Sequence, residues 1–330
     1  MIKRRKEKNM SSAKDSVLTR LSENKDKFTS GQTLANELSV TRCAIWKAVC
    51  GLRKDGYVIE SVSNKGYKLH ESDILSEAEI KSHLKTSIPP KIIVFDSIDS
   101  TNSKAKEYAA NGHKETTLII ANSQTNGKGR MGRTFYSPKD TGLYMSLLYT
   151  TSQPLENAVS VTTAASVAVA LAIEEMTGSP AHIKWVNDVY MDGKKVCGIL
   201  TEAMLGLDGD GENVIIVGIG INITTKTFPE ELADKAASTG TLSGSRCLLA
   251  AKIIDRLIYF IENPSEKTHM GEYRKRSLIN EKKVRLICAG NEFFGTAMGI
   301  SDDGGLIFLP DGEENCKVIR SGEVSVRLND

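Results

Sequence analysis

The sequence predicts an α+β protein in three pieces, and three observations carry that prediction. Near the N-terminus, two short helical stretches with polar caps sit close together and run into alternating, strand-like residues. Beyond about residue 90, strands and helices interleave. The strand candidates over 182–203 follow one another with only turns between them, which argues for a mixed sheet with helices packed on it rather than a doubly wound parallel sheet. From about Lys282 the pattern changes to short strands separated by Gly and Asp turns.

The first helix begins near Ser16, with Val17, Leu18 and Leu21 at helical spacing. Ser30 is placed to N-cap a second helix from Gly31 to Leu38, and Thr41 to cap a third from Arg42 to Lys54. The turn Ser39-Val40 between them is tight and holds one apolar residue, which makes the pair a helix-turn-helix. Ile45, Val49 and Leu52 form the inner face of the third helix; Arg42, Trp46, Lys47 and Arg53 face outward. Tyr57 to Val62 and Tyr67 to Leu69 then read as a β-hairpin with Lys65 at its tip, so the whole is a winged helix. In a DNA groove, Arg42, Trp46 and Lys47 would meet base edges and Lys65 a phosphate.

Charge supports that placement. Residues 1–70 hold 15 Lys/Arg against 7 Asp/Glu, while the remaining chain holds 28 against 34. A basic first domain on a mildly acidic body points to nucleic acid at the first domain alone. The N-terminus lacks the apolar stretch of a signal peptide, and no apolar run reads as a bilayer span. The six Cys are scattered, with no C-x2-C pair, as expected of reduced thiols in a cytoplasmic protein. The expected boundaries are a basic disordered arm over 1–14, the winged helix over 15–72, a central domain over 73–278 and a C-terminal domain over 279–330.

In the central domain, strands are expected at Ile92–Phe95, Thr117–Ala121, Leu143–Tyr149, His182–Trp185, Val196–Ala203 and Val214–Ile221. Helices are expected at Asn102–Ala110, Ala158–Met176 and Arg246–Glu262; the second is apolar on most sides and therefore buried. Polar residues gather at strand ends. Asp99 to Asn102 can cap a helix or line a site. Lys184-Trp-Val-Asn-Asp188 brings a cation, an amide and a carboxylate together, as either a surface ion pair or a phosphate and Mg²⁺ site. Lys195 is either a solvated turn charge or a ligand contact.

The most informative segment is Gln124 to Phe135, where Gly127, Gly129 and Gly132 alternate with Lys128, Arg130 and Arg133. Glycine allows close backbone approach, and the cations supply charge-assisted hydrogen bonds. Gly127 to Thr134 differs from a P-loop only in having Arg133 for Lys. A P-loop needs a helix immediately afterwards, and Thr134-Phe-Tyr-Ser-Pro138 followed by a turn cannot start one. By itself the segment is an anion-binding loop or a basic nucleic-acid contact.

Five motifs in order make the reading specific: Gln124 to Arg133, Lys184 to Asp188, Lys195 to Glu202, Gly218-Ile-Gly-Ile-Asn222, and Ser321 to Arg327. With a winged helix in front, the chain resembles the bifunctional biotin–protein ligase and biotin-operon repressor family over nearly its whole length. The resemblance implies a class II synthetase-like central domain and a small SH3-like C-terminal β-barrel. It implies that Ser100, Thr101, Asn102 and Gln124 bind the biotin head, and that Lys128, Gly129 and Arg130 close over it. Lys195 would meet the biotin carboxylate. Gly127, Arg130, Arg133, Lys184, Asn187 and Asn222 would lie near ATP phosphates, and Asp188 near Mg²⁺. Lys195, Arg130, Lys184 and Asp188 are the expected catalytic set, and Glu323 and Arg327 are expected to face the site. The implied activity is ATP-dependent biotin transfer to a lysine of a biotin carboxyl carrier protein, combined with repression at operator DNA by a ligand-promoted homodimer. Lys128, Phe135 and Val186 stand where the family has Arg, Trp and Pro. The segment after Asn222 matches poorly, so no adenine contact is expected from it.

Overall fold

The computed structural model describes residues 13–70, 73–151, 158–204, 213–264, 266–288 and 290–326. They fall into two compact units. The first takes in the chain up to His83 together with Gly244–Leu248, and the second the rest.

The first unit holds helices α1 (Ala13–Glu23), α2 (Gly31–Glu37) and α3 (Arg42–Lys54), the hairpin β1 (Ile59–Val62) and β2 (Gly66–Leu69), and α4 (Glu77–His83). Helix α1 begins inside the stretch expected to be an arm, whose residues 1–12 lie outside the described residues. Both predicted caps form: Ser30 Oγ accepts from Thr33 N at 3.0 Å and Thr41 Oγ1 from Ala44 N at 3.2 Å. Val17, Leu21, Leu34, Ile45, Val49 and Leu52 close one core, and Leu38 and Val40 of the turn pack on it. Gly66 ends the wing turn at φ +107°, where a Cβ would stand 2.1 Å from Thr29 O. Only glycine fits there, because Thr29 and Tyr67 exchange backbone bonds across that contact. Arg42, Trp46, Lys47 and Lys65 are exposed. Arg53 is exposed as expected, and it also straps helix to wing by donating to Ile59 O and Ser61 Oγ.

The second unit is built on a seven-stranded sheet in the order β3-β4-β5-β9-β8-β7-β6. Its strands are β3 (Lys91–Phe95), β4 (Thr117–Ala121), β5 (Gly142–Thr151), β6 (His182–Lys184), β7 (Asp188–Met191), β8 (Lys194–Met204) and β9 (Asn213–Asn222). Strands β3 and β4 run parallel and every other pair antiparallel, so the sheet is mixed as expected. Helix α5 (Thr101–Ala110) lies on one face, where Asn102 meets Gly218 of β9. Helix α6 (Ala158–Thr177) backs the other face, where Thr162 and Thr201 hydroxyls meet at 2.8 Å. By length and composition alone, Val159–Thr177 does qualify as a membrane span, contrary to expectation, with a mean hydropathy of 1.4. Its side chains are spent on the core instead, since 72% of that stretch is buried inside the fold.

Helices α7 (Arg246–Glu262) and α8 (Thr268–Arg276) precede the last sheet. Its five strands are β10 (Lys282–Cys288), β11 (Asn291–Ile300), β12 (Leu306–Pro310), β13 (Lys317–Ile319) and β14 (Glu323–Val326), in the order β13-β12-β11-β10-β14. A barrel was expected. Among the described residues the pairing stays an open antiparallel sheet, because the short edge strands β13 and β14 each bond only one neighbour. Trp185 Nε1 ties this sheet to the central one by donating to Gly304 O at 3.0 Å.

Candidate active site

Sheet register places the site. Ser146, Gly218 and Leu200 are neighbours across β5, β9 and β8. Two residues along, Tyr144, Gly220, Gly198, Asp188 and Lys184 continue across to β6. Directly paired residues, and residues two apart, share a face. These two rungs therefore form one surface, low at its three glycines and charged at one end.

Each glycine makes room for a particular neighbour. A Cβ on Gly218 would stand 1.9 Å from Asn102 Oδ1, and one on Gly220 would stand 2.5 Å from the Phe135 ring. At Gly198 a Cβ would sit 3.1 Å from Lys195 Nζ, because that side chain lies back over the strand. Above this surface is a cavity of about 780 Å³.

Its inner end is neutral and polar. Ser100 caps α5, accepting from Ser103 N at 3.4 Å, so capping and site lining coexist. Gln124 Oε1 accepts from Thr101 N at 2.9 Å and from Thr101 Oγ1 at 3.1 Å. Gln124 Nε2 donates to Ser137 Oγ at 2.8 Å. Ser100, Thr101 and Asn102 are all buried.

Its outer end is cationic. Lys128, Arg130, Arg133, Lys184, Lys195, Lys235 and Arg285 line it, against only Asp188 and Glu323 among carboxylates. The Gly127–Phe135 loop is a small hairpin closed by Phe135 N to Gly127 O at 2.8 Å and Gly129 N to Arg133 O at 2.7 Å. A short 3-10 turn forms its tip, where Met131 and Gly132 take positive φ. No helix follows, which agrees with the rejection of a P-loop. Arg130 donates to Asn187 Oδ1 at 2.8 Å and to Gly322 O at 3.0 Å; Arg133 donates to Glu323 Oε2 at 2.6 Å. Lys195 Nζ stands 2.7 Å from Asp188 Oδ1. Burial pulls the Lys184 ammonium below the usual lysine value, against the opposing attraction of Asp188.

Residues 94–222 match the biotin/lipoate A/B protein ligase family, and residues 14–68 match an HTH domain. The bifunctional ligase/repressor BirA of Bacillus subtilis (strain 168) is 35% identical over 312 residues, covering 91% of this chain and 94% of that protein. The chain belongs to the bifunctional ligase/repressor family of biotin–protein ligases. The Escherichia coli (strain K12) member is 29% identical over 307 residues, covering 91% of this chain and 93% of that one. The biotin protein ligase from Aquifex aeolicus, solved in complex with biotin and ATP, superposes with a TM-score of 0.60 at 33% identity. It covers 72% of this chain and 99% of its own.

In this biotin–protein ligase, the structure gathers Ser100, Thr101, Asn102, Gln124, Lys128, Gly129, Arg130, Arg133, Lys184, Asn187, Asp188, Lys195 and Asn222 around one cavity. Gly127 is beside it, held against Phe135 O. Arg327 lies outside the described residues. Sequence reasoning missed the aromatic wall, where Tyr136 and Phe228 have ring centroids 6.3 Å apart, together with Lys235 and Arg285. Phe228 sits in the poorly matched segment after Asn222, from which no adenine contact is expected. An isolated aromatic between Thr227 and Pro229 was the available signal.

Proposed function

We propose that this chain activates biotin with ATP and transfers it to a lysine of a biotin carboxyl carrier protein. The observation that carries the reading is the polarity of the cavity: a buried, neutral hydrogen-bonding end opposite an end with seven Lys/Arg. The first suits a cyclic urea, the second a carboxylate meeting a triphosphate. A dithiolane ring offers no such hydrogen bonds, which sets lipoate below biotin as the substrate.

In the first step the biotin carboxylate attacks the α-phosphorus. The bond to the bridging oxygen breaks, diphosphate leaves and biotinyl-5′-AMP remains. In the second, a carrier lysine amine attacks the acyl carbon, AMP leaves, and the amine loses a proton. Ser100, Thr101, Asn102 and Gln124 hold the head, and Lys195 the carboxylate end. Lys184, Arg130 and Arg133 neutralise charge that grows on the phosphates, while Gly127, Asn187 and Asn222 keep them in line. The Tyr136 and Phe228 rings offer a stacking wall for the purine. The Gly127–Phe135 hairpin keeps water from the mixed anhydride.

Among the described residues no three His, Cys, Asp or Glu side chains cluster. A lone Asp188 fits Mg²⁺ shared with substrate phosphates, not an all-protein cage. Bound there, Mg²⁺ would offset phosphate charge. In this reading the C-terminal sheet is SH3-like, the central sheet is class II synthetase-like, and the protein is cytoplasmic. The winged helix represses transcription as a biotin-responsive homodimer, using Arg42, Trp46, Lys47 and Lys65 on operator DNA.

The test is transfer of labelled biotin to an apo carrier with ATP and Mg²⁺, with lipoate as competitor. Transfer that lipoate does not block is expected; no transfer at all sinks the ligase reading.

A further inference from the structure

Seven cations line the outer end of the cavity, and two carboxylates stand among them. Both carboxylates are already taken. Lys195 Nζ stands 2.7 Å from Asp188 Oδ1, and Arg133 donates to Glu323 Oε2 at 2.6 Å. Lys184 feels the charge of all four groups, yet among the described residues it is ion-paired to neither carboxylate. Register makes this informative. Lys184 lies directly across from Asp188 in the β6–β7 pair, but Asp188 meets Lys195.

What the Lys184 ammonium does meet is a ring. Tyr190 stands two residues beyond Asp188 on β7, diagonally across from Lys184 and on the same face of the sheet. Lys184 Nζ lies over the Tyr190 ring, 5.8 Å from its centroid. Both side chains are half-buried, and both line the cavity. The phenol stays neutral near pH 7, because burial pushes its pKa up to about 12.

A ring and a carboxylate hold an ammonium in different ways. A carboxylate cancels the charge and occupies N–H donors. A π face attracts the cation through its quadrupole and leaves the charge uncancelled. An ammonium steadied that way keeps its charge and its three donors for an incoming anion. A free lysine side chain loses rotamer freedom when it binds, and a ring that limits its wandering reduces that loss beforehand.

We infer that Tyr190 is a positioning residue for Lys184. Its ring holds the ammonium at the outer end of the cavity and apart from Asp188, so that this cation meets the ligand's phosphates unneutralised. The inference rests on the proposed function, in which Lys184 lies at the phosphates of ATP, and deepens it: one cation of the site is set by an aromatic side chain instead of a counter-ion.

The test measures kcat and KM for ATP, and KM for biotin, in biotin-dependent ATP–diphosphate exchange. Tyr190→Leu should lower kcat/KM for ATP about tenfold, the scale of a partly desolvated cation–π contact, and leave the biotin KM unchanged. Tyr190→Phe keeps the ring and should stay within about twofold of the parent. Tyr190→Met, an unbranched filler without a ring, repeats the measurement if leucine disturbs the fold. Lys184→Met should cost about 10²-fold, and in that background Tyr190→Leu should cost nothing further. A further loss of similar size there would mean that Tyr190 acts on the ligand or the fold by itself, and the inference is overturned. A Tyr190→Phe enzyme as weak as Tyr190→Leu overturns it too, because the hydroxyl and not the ring would then matter. A Lys184→Met enzyme as active as the parent also overturns it, while leaving the ligase reading intact. A parent without biotin-dependent exchange sinks that reading, and this inference with it.

Discussion

Thr101, Asn102 and Ser146 at the inner end of the cavity are 3%, 4% and 0% exposed, and every polar atom described there has a partner. At the outer end the Arg133 side chain is 65% exposed and holds one carboxylate. Buried neutral groups cost stability unless each is bonded, so they settle into one geometry and discriminate sharply. Exposed cations are screened and interchangeable; they act through their sum. On the proposed function, selectivity and charge neutralisation should therefore be separable, and four measurements probe the separation.

The largest effect is expected from Arg130→Ala, since Arg130 is a half-buried cation of the outer end and has two fixed acceptors. Adenylation kcat/KM should fall about 10³-fold, the scale of one preorganised charge-stabilising donor. A loss below tenfold would place Arg130 with the interchangeable cations and break the comparison.

Next comes a control on the shell behind both ends. His269 is buried beside Thr163 and Phe260, and burial lowers its pKa from 6.5 to about 4. Above pH 6.5 neither state binds this proton; as pH falls toward 4 the unfolded chain gains it and the folded one does not. Stability present above 6.5 is thus lost through this window, by up to about 3 kcal/mol. Melting curves against pH should show the decline, and His269→Gln should flatten it. A parent profile level from pH 7 to 4 would refute the assignment. Kinetic comparisons of the two ends belong above this window.

Gly218→Ala strikes the inner end, because its new methyl would stand 1.9 Å from Asn102 Oδ1. Biotin KM should rise about 10²-fold by misplacing that amide, with kcat at saturation little changed. An equal fall in kcat would mean that the two ends are not separable. The smallest effect is expected from Arg133→Gln. Its exposed pair with Glu323 is worth less than about 1 kcal/mol. A few-fold rise in the KM for ATP that fades with added salt would fit; a salt-independent loss would not.

The same contrast governs what the sequence revealed. The winged helix was legible almost residue by residue, because caps at Ser30 and Thr41 and the apolar faces of α2 and α3 are local patterns. Helices α4 and α8 escaped notice: one is short and the other largely polar, so neither shows a clear apolar period. The cationic loop stood out because its glycines and arginines are contiguous. Ser146 and Phe228 did not, because their places depend on strand register and on partners far along the chain, as between Asn102 and Ser146. Open pairing in place of a barrel at the C-terminal sheet was likewise beyond a reading of strand spacing alone.

Arg130 and its acceptor Gly322 O are 192 residues apart. During synthesis the glycine loop leaves the ribosome long before the carbonyl that anchors it has been made. At a translation rate of ~5–20 residues per second, that interval is on the order of ten seconds or more. A nascent chain can therefore hold a finished winged helix and a seven-stranded sheet, with Arg130 already in reach of Asn187, while the second anchor of its glycine loop is still unmade.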